Sequence, residues 1–211
     1  MLKHDRIRQE NKMKKIILMI FTTFITNTAN AANSDFWSKS YKYEAEGKYL
    51  EAAAVIEKNL NRSSDKEFAL IRYAWLSYLL GNYDDSIANY QKAIAINQES
   101  IDAKLGITLP LLAKQSYSKT KRYAKQVLEV SPWNYTAHMK IMLCEQAQKR
   151  WATLKNHAAN LSKHYPTDTT VLVFLARAYA KLDEADSAVD IYKKVLIRYP
   201  DHYEALNYIN Q

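Results

Sequence analysis

Apolar residues recur at spacings of three and four along most of the chain, which is the pattern of amphipathic helices. The clearest stretch predicts a first helix over 68–80, a turn at Gly81 and Asn82, and a second helix over 84–96. The other stretches show the same pair of helices joined by a short turn. The hydrophobic pattern therefore predicts an all-α fold made of helical hairpins.

The boundaries of these hairpins repeat every 34 residues. Pro132, Pro166 and Pro200 are 34 residues apart, as are Gly47 and Gly81. Proline ends helices because it lacks an amide donor, and glycine adopts turn conformations that other residues resist, so the interval marks repeated helix boundaries. It predicts five repeats, at 33–66, 67–100, 101–134, 135–168 and 169–202, followed by a short capping helix over 203–211.

Residues at fixed positions of these repeats resemble the tetratricopeptide repeat family. The turn glycine is followed two residues later by an aromatic residue, a small residue marks the helix crossing, and a proline closes the repeat. These positions hold Gly47 and Gly81; Tyr49, Tyr83, Tyr117 and Trp151; Ala52, Ser86 and Ala188; and Pro132, Pro166 and Pro200. The resemblance implies a right-handed α-solenoid of about five helix-turn-helix units with about eleven helices, in a single domain over 32–211.

The third and fourth repeats depart from the family pattern. Gln115 and Lys149 stand where the turn glycine is expected, and Thr120 and Leu154 replace the small residue. We expect these repeats to pack less regularly. Pro110 falls inside the first helix of the third repeat, and we predict a kinked helix there because Gly106, four residues earlier, allows local bending.

The amino terminus resembles a secretory signal peptide. Lys14 and Lys15 precede the apolar run 16–25, and Ala29 and Ala31 provide small residues at the positions that a signal peptidase reads. We expect residues 1–31 to be removed, with Met13 as a possible true start, and the mature protein to be periplasmic or secreted. The alternative is a retained membrane anchor, although about ten apolar residues are too few to span a bilayer.

Charge and composition narrow the classes of function. The formal net charge is +8, but residues 1–31 hold six Lys or Arg against two acids, so half of the excess lies in the leader. The remaining +4 is weak evidence for a nucleic-acid partner. Cys144 is the only cysteine, so an internal disulfide cannot form.

The sequence favours a non-enzymatic protein with no cofactor or metal. The histidines beyond the leader lack metal-ligand spacing, and no catalytic motif occurs. Cys144 and His138 are the nearest approach to a nucleophile and base, but six residues on a helix place them about 240° apart. A half-buried thiol and a surface imidazole are the expected state of these two residues.

The resemblance implies a binding groove lined by the first helix of each repeat. Carried over to this sequence, its partner-binding residues are Trp37, Tyr41, Arg72, Trp75, Tyr78, Lys140, Phe174, Arg177 and Lys181. Aromatic and arginine side chains dominate binding hot spots, which suits a protein or peptide segment. The alternative for the large aromatic residues is a place in the core between repeats. We expect replacement of Trp75 or Arg72 by Ala to weaken partner capture and to leave the melting temperature nearly unchanged.

Two functions remain open. The first is a periplasmic protein-interaction scaffold that binds a protein segment in the groove during cell-envelope assembly. The second is a glycan-contacting module of an exopolysaccharide export or modification system, in which Trp37, Tyr41 and Trp75 would stack on sugars and the cations would meet an anionic glycan. The oligomeric state is left open by the sequence.

Overall fold

The structure is a computed structural model that describes residues 35–210, and within that range the regular secondary structure is entirely helical. The predicted signal peptide lies outside the described residues. The helices are α1 (residues 35–45), α2 (Tyr49–Asn59), α3 (Lys66–Leu79), α4 (Tyr83–Ile96), α5 (Ile101–Gly106), α6 (Thr108–Ala113), α7 (Tyr117–Val130), α8 (Tyr135–Ala147), α9 (Trp151–His164), α10 (Thr169–Lys181), α11 (Ala185–Arg198) and α12 (Tyr203–Ile209). Over residues 35–210 no helix is both long enough and apolar enough to span a membrane.

The contacts divide the chain into two compact units that meet at a predicted repeat boundary. The N-terminal unit, described from residue 35 to Ser100, contains the first two repeats, and the C-terminal unit, Ile101 to residue 210, contains the other three and α12. The prediction of a single domain over 32–211 stays a prediction.

The 34-residue period is visible in the turn that joins the two helices of every repeat. The second residue after each first helix has a left-handed backbone, with φ values of 73° and 78° at the glycines and 54° to 60° elsewhere. These five residues are Gly47, Gly81, Gln115, Lys149 and Asp183. The third and fourth repeats therefore keep the turn conformation without the glycine.

The backbone hydrogen bonds of these turns explain why the conformation is retained. The amide of Asn82 donates to the carbonyl of Ser77 (2.9 Å), and the amide of Gly81 donates to Tyr78 (3.0 Å). This paired arrangement satisfies carbonyls that the end of a helix leaves without partners. The bond that spans five residues recurs in the other repeats, from Lys48 to Tyr43, Ser116 to Leu111, Arg150 to Glu145, and Glu184 to Tyr179.

The helix predicted to be kinked near Pro110 is interrupted. It divides at Ile107 into α5 and α6, which accounts for twelve described helices where about eleven were expected. Pro110 has no amide proton to donate to the carbonyl of Gly106, and the Thr108 hydroxyl donates to the Leu105 carbonyl at 2.5 Å. The helix resumes because the amide of Leu111 still reaches the carbonyl of Ile107 (3.3 Å).

The helix-crossing position is fully buried in all five repeats, including the two that carry larger residues. It holds Ala52, Ser86, Thr120, Leu154 and Ala188. Thr120 is accommodated because its hydroxyl donates to the carbonyl of Ser116 (3.2 Å). Leu154 packs in an apolar cluster with Met142, Leu161 and Phe174. The larger residues of these two repeats are therefore buried as completely as the small residues of the others, and less regular packing of the third and fourth repeats stays a prediction.

Candidate functional site

Five aromatic side chains of α1 and α3 form the aromatic surface of the N-terminal unit: Trp37, Tyr41, Phe68, Trp75 and Tyr78. The ring centroids of Trp37 and Phe68 are 4.9 Å apart, and those of Trp75 and Tyr78 are 5.7 Å apart. Tyr41 and Phe68 are 48% and 38% exposed, whereas the other three are half-buried. The surface therefore combines two accessible rings with three rings anchored in the packing of the helices.

The buried side chain of Arg72 connects α3 to α1 beneath the aromatic surface. The Arg72 guanidinium makes an ion pair with Glu44 and donates to the Ser40 hydroxyl at 3.2 and 3.3 Å. Glu44 also accepts a hydrogen bond from the indole Nε1 of Trp75 (2.7 Å). The Arg72 Cζ atom lies 3.8 Å from the centroid of the Tyr41 ring. One Glu–Arg pair thus fixes the positions of two aromatic side chains.

The burial of Arg72 corrects its assignment as a partner-contacting residue. Its side chain is 5% exposed, and its donors are directed at Glu44 and Ser40. Removing one partner of a buried ion pair is strongly destabilising, because the other charge loses its compensation. The expectation that Arg72→Ala leaves the melting temperature unchanged is therefore replaced by an expected loss of stability.

Two of the predicted C-terminal residues line a cleft of about 710 Å³ in the C-terminal unit. Arg177 and Lys181 of α10 contribute to its wall, together with Trp151 of α9 and Tyr203 and Asn207 of α12. Lys181 is exposed, so its ammonium group is available at the cleft. The structure thus brings together two of the four predicted residues of this unit.

Arg177 is held within the cleft by a carboxylate of α12. Its Nε and Nη2 atoms donate to Glu204 at 2.8 and 2.5 Å, and the Tyr192 hydroxyl donates to the same carboxylate at 2.7 Å. Burial alone raises the pKa of Glu204, but the hydrogen bonds from Arg177 and Tyr192 outweigh it and lower that pKa below its ordinary value. Glu204 was absent from the predicted site because it lies 27 residues beyond Arg177 in the segment expected only to cap the last repeat.

The other two predicted residues are less accessible. Phe174 is 4% exposed and belongs to the apolar cluster around Leu154 and Met142, so its assignment as a contact residue is corrected. Lys140 is half-buried, and burial lowers the pKa of its ammonium group. Apolar periodicity could not separate Phe174 from Arg177, three residues away on the same helix, because both positions face neighbouring helices.

The side chains that most resemble catalytic groups are engaged in packing. Cys144 is completely buried, and burial raises the pKa of its thiol to about 11, which opposes formation of a nucleophilic thiolate. His138 is half-buried and faces His157 at 2.8 Å. Among residues 35–210, no three His, Cys, Asp or Glu side chains form a set suited to a metal ion.

Two segments of the chain match models of a known protein family. Models described as tetratricopeptide repeat match residues 69–100 and residues 174–202. In sequence, no curated protein matches the chain.

Solved structures with a similar fold include two that are described as tetratricopeptide repeat proteins. A repeat protein from Parabacteroides merdae has a TM-score of 0.75 at 10% identity and covers 85% of this chain and 71% of its own. MamA from Desulfovibrio magneticus has a TM-score of 0.72 at 13% identity, covering 81% and 97%. YrrB, described as having an unusual peptide-binding site, has a TM-score of 0.67 at 15% identity, covering 83% and 91%. These likenesses confirm the predicted fold class, an all-α solenoid of helix-turn-helix repeats.

Proposed function

We propose that the chain, two segments of which match models of the tetratricopeptide repeat, is an interaction scaffold that binds a segment of another protein through the aromatic surface of its N-terminal unit. Repeats of this kind serve as protein-interaction modules, and the fold alone leaves the partner open. We place this binding in the periplasm, during assembly of the cell envelope, on the strength of the signal-like residues 1–31.

The observation that carries the proposal is the combination of exposed rings with a fixed support. Tyr41 and Phe68 are accessible, while Arg72, Glu44 and Ser40 hold the helices beneath them by hydrogen bonds and an ion pair. An aromatic side chain that is already positioned loses little conformational entropy on binding. Such a surface favours a segment that presents apolar or aromatic side chains.

The ion pair beneath the aromatic surface strengthens the preference for apolar or aromatic side chains of a partner. The Arg72 cation is compensated by Glu44, and the Trp75 indole nitrogen has its acceptor on the same carboxylate. The groups that remain for a partner are mainly the faces and edges of rings, which bury apolar area on contact. We therefore expect apolar contacts to supply most of the affinity at this surface.

The cleft of the C-terminal unit is a second candidate contact area with different chemistry. The C-terminal unit contains 16 Lys or Arg and 10 Asp or Glu over residues 101–211, a formal net charge of +6, whereas residues 35–100 contain 8 and 10, a net −2. Within the cleft, Glu204 compensates Arg177 and leaves the Lys181 ammonium exposed. This cleft favours an acidic segment of a partner.

The proposal is tested by site-specific photo-crosslinking in the periplasm. A photoreactive amino acid replaces Tyr41 in one variant and Tyr199 in a matched control, since Tyr199 is a similarly exposed tyrosine of the C-terminal unit. We expect one protein to be crosslinked from position 41 and a Phe68→Ala substitution to reduce that crosslink at least about tenfold, because buried aromatic area is lost.

The outcomes separate the two functions. A single protein captured from position 41 and not from position 199 supports the scaffold. Retention of the purified chain on polysaccharide, lost in Tyr41→Ala and without a protein crosslink, instead supports the glycan-contacting module. Absence of the chain from the periplasmic fraction contradicts the proposed location.

A further inference from the structure

Four groups of the C-terminal unit form a continuous hydrogen-bonded line, which we call the histidine line: the Pro132 carbonyl, His138, His157 and Glu145. The His138 Nε2 atom lies 2.9 Å from the Pro132 carbonyl oxygen. The His138 Nδ1 atom lies 2.8 Å from His157 Nε2, and His157 Nδ1 lies 3.0 Å from Glu145 Oε2. The line joins the α7–α8 connection to α8 and α9.

The two ends of the line restrict the number of protons that it can hold. A carbonyl oxygen and a carboxylate oxygen only accept hydrogen bonds, so each end needs a proton on the facing ring nitrogen or, at Glu145, on the carboxyl group itself. The contact between the rings needs one proton as well. The three contacts are therefore satisfied together by three protons, one more than two neutral imidazoles and a carboxylate carry.

A gain or a loss of one proton breaks a contact. A fourth proton on the ring nitrogens places two N–H donors opposite each other across the 2.8 Å between the rings, and it puts two cations side by side. With only two protons, two lone pairs face each other at one of the three contacts. A buried polar group without its partner is destabilising, and Glu145 is almost completely buried.

Aromatic, polar and charged side chains from α7, α8, α9 and the α7–α8 connection surround the histidine line. His164 of α9 and Trp133 of the α7–α8 connection stack with ring centroids 4.2 Å apart, and the Tyr165 hydroxyl donates to the Trp133 carbonyl at 2.5 Å. From α7, Lys121 donates to Gln148 Oε1 (2.8 Å) and faces Cys144, as does Lys140 of α8.

The environment of His138 opposes the uptake of a further proton in acid. Burial lowers the pKa of His138 below its ordinary value of 6.5, and His157 and His164 act in the same direction, while the Pro132 carbonyl and Glu145 oppose them. A histidine with a lowered pKa in the folded state stabilises that state above pH 6.5. The contribution is lost as the pH falls through the lowered value.

We propose that the histidine line is a proton-controlled contact that holds the α7–α8 connection in place only within a window of pH. All three hydrogen bonds are formed when the histidine line holds three protons. In acid the line gains a fourth proton and one hydrogen bond breaks, and in alkali it loses its third proton and one hydrogen bond breaks. The segment whose order it controls is 131–134, which carries Trp133, 44% exposed. This regulation is independent of the function proposed for the aromatic surface.

Nitrogen-15 NMR of the histidine rings tests the proton count in the wild-type chain. Near neutral pH we expect a total of three protons. They are either three protons on the four ring nitrogens of His138 and His157, or two on these rings and one on the Glu145 carboxyl group. The carbon-13 shift of the Glu145 carboxyl carbon distinguishes these two cases. His202, which caps α12 through its Nδ1 atom, is the internal reference. Two protons in total near neutral pH would overturn the proposal.

Hydrogen–deuterium exchange tests the opening. After correction for the intrinsic chemical rate, we expect the protection of amides in residues 131–138 to pass through a maximum and to fall on both its acid and its alkaline side. Outside the window, protection should fall by up to about tenfold per pH unit, the limit for release or uptake of one proton. A flat profile in the wild type would contradict the inference.

Two substitutions separate the acid side from the alkaline side. In His138→Gln the longer side chain allows the amide to donate to the Pro132 carbonyl and to accept from His157, but the amide gains no proton. The loss of protection in acid should therefore disappear while the alkaline loss remains. In Glu145→Gln the amide group can donate or accept, so the alkaline loss should disappear while the acid loss remains. His202→Asn is the control, because asparagine also caps a helix, and its profile should match the wild type.

The reverse assignment of the two sides, or the same profile in all three variants, would refute the proton-controlled contact. If Glu145→Gln does not fold, the His138→Gln profile and the proton count of the wild type still decide the question.

Discussion

The N-terminal and C-terminal units build the same turn from different residues. Gly47 and Gly81 make the turns of the N-terminal unit, whereas the C-terminal unit uses Gln115, Lys149 and Asp183 with φ values of 54° to 60°. A left-handed backbone is unfavourable for a residue with a side chain by about 1–2 kcal/mol. Since both units form the same turn, the packed helices and the paired hydrogen bonds impose its conformation. Glycine only reduces the backbone strain of the left-handed residue.

The units also differ in how deeply they place an arginine–glutamate pair. Arg72 of the N-terminal unit is 5% exposed, whereas the side chain of Arg177 is 37% exposed and its partner Glu204 is 33% exposed. Both arginines link one repeat to a neighbouring helix, Arg72 to Glu44 of α1 and Arg177 to Glu204 of α12. Burial therefore makes one pair structural and leaves the other beside a cleft.

The largest expected effect comes from removing these arginines. We expect Arg72→Ala to lower the free energy of unfolding by about 3 kcal/mol, since it leaves Glu44 without its buried partner. Arg177→Ala should lower it by about 1 kcal/mol, because water screens a partly exposed pair. Urea denaturation followed by circular dichroism measures both. Equal losses would show that burial does not distinguish the two pairs.

An intermediate effect is expected at a glycine turn. Gly81→Ala should lower the free energy of unfolding by about 1–2 kcal/mol, because an added methyl group finds open space and the whole penalty comes from the φ of 78°. Gly81→Asn is the matched control and should lose less, since asparagine tolerates the left-handed region. A larger loss for asparagine would point to a steric cause, contrary to this account.

The smallest expected effect is a gain at a turn of the C-terminal unit. Lys149→Gly should raise the free energy of unfolding by about 0.5–1 kcal/mol, which is the relief of backbone strain less the greater flexibility of glycine in the unfolded chain. Lys149→Ala controls for the missing side chain and should give no gain. Chemical denaturation of the two variants side by side decides the point, and a gain in both would attribute it to the lost lysine charge.

The pattern of the sequence predicted the elements more successfully than the side-chain environments. The predicted helix over 84–96 is observed as Tyr83–Ile96, and the helix predicted to be irregular near Pro110 is interrupted at Ile107. These features depend on local periodicity and on the chemistry of proline. Burial depends on residues far apart in the chain, which is why Arg72 and Phe174 were assigned to a surface although both lie inside.

The sequence by itself determined the 34-residue period, the order of the helices and the positions of the turns, because each follows from residues close together along the chain. Only the tertiary structure decided which of the predicted contact residues are accessible. It also brought together Arg177 and Glu204 across 27 residues and His138 and His157 across 19. Those contacts depend on the packing of one helix against another, and a periodic pattern identifies the buried face of a helix without identifying the side chain it meets.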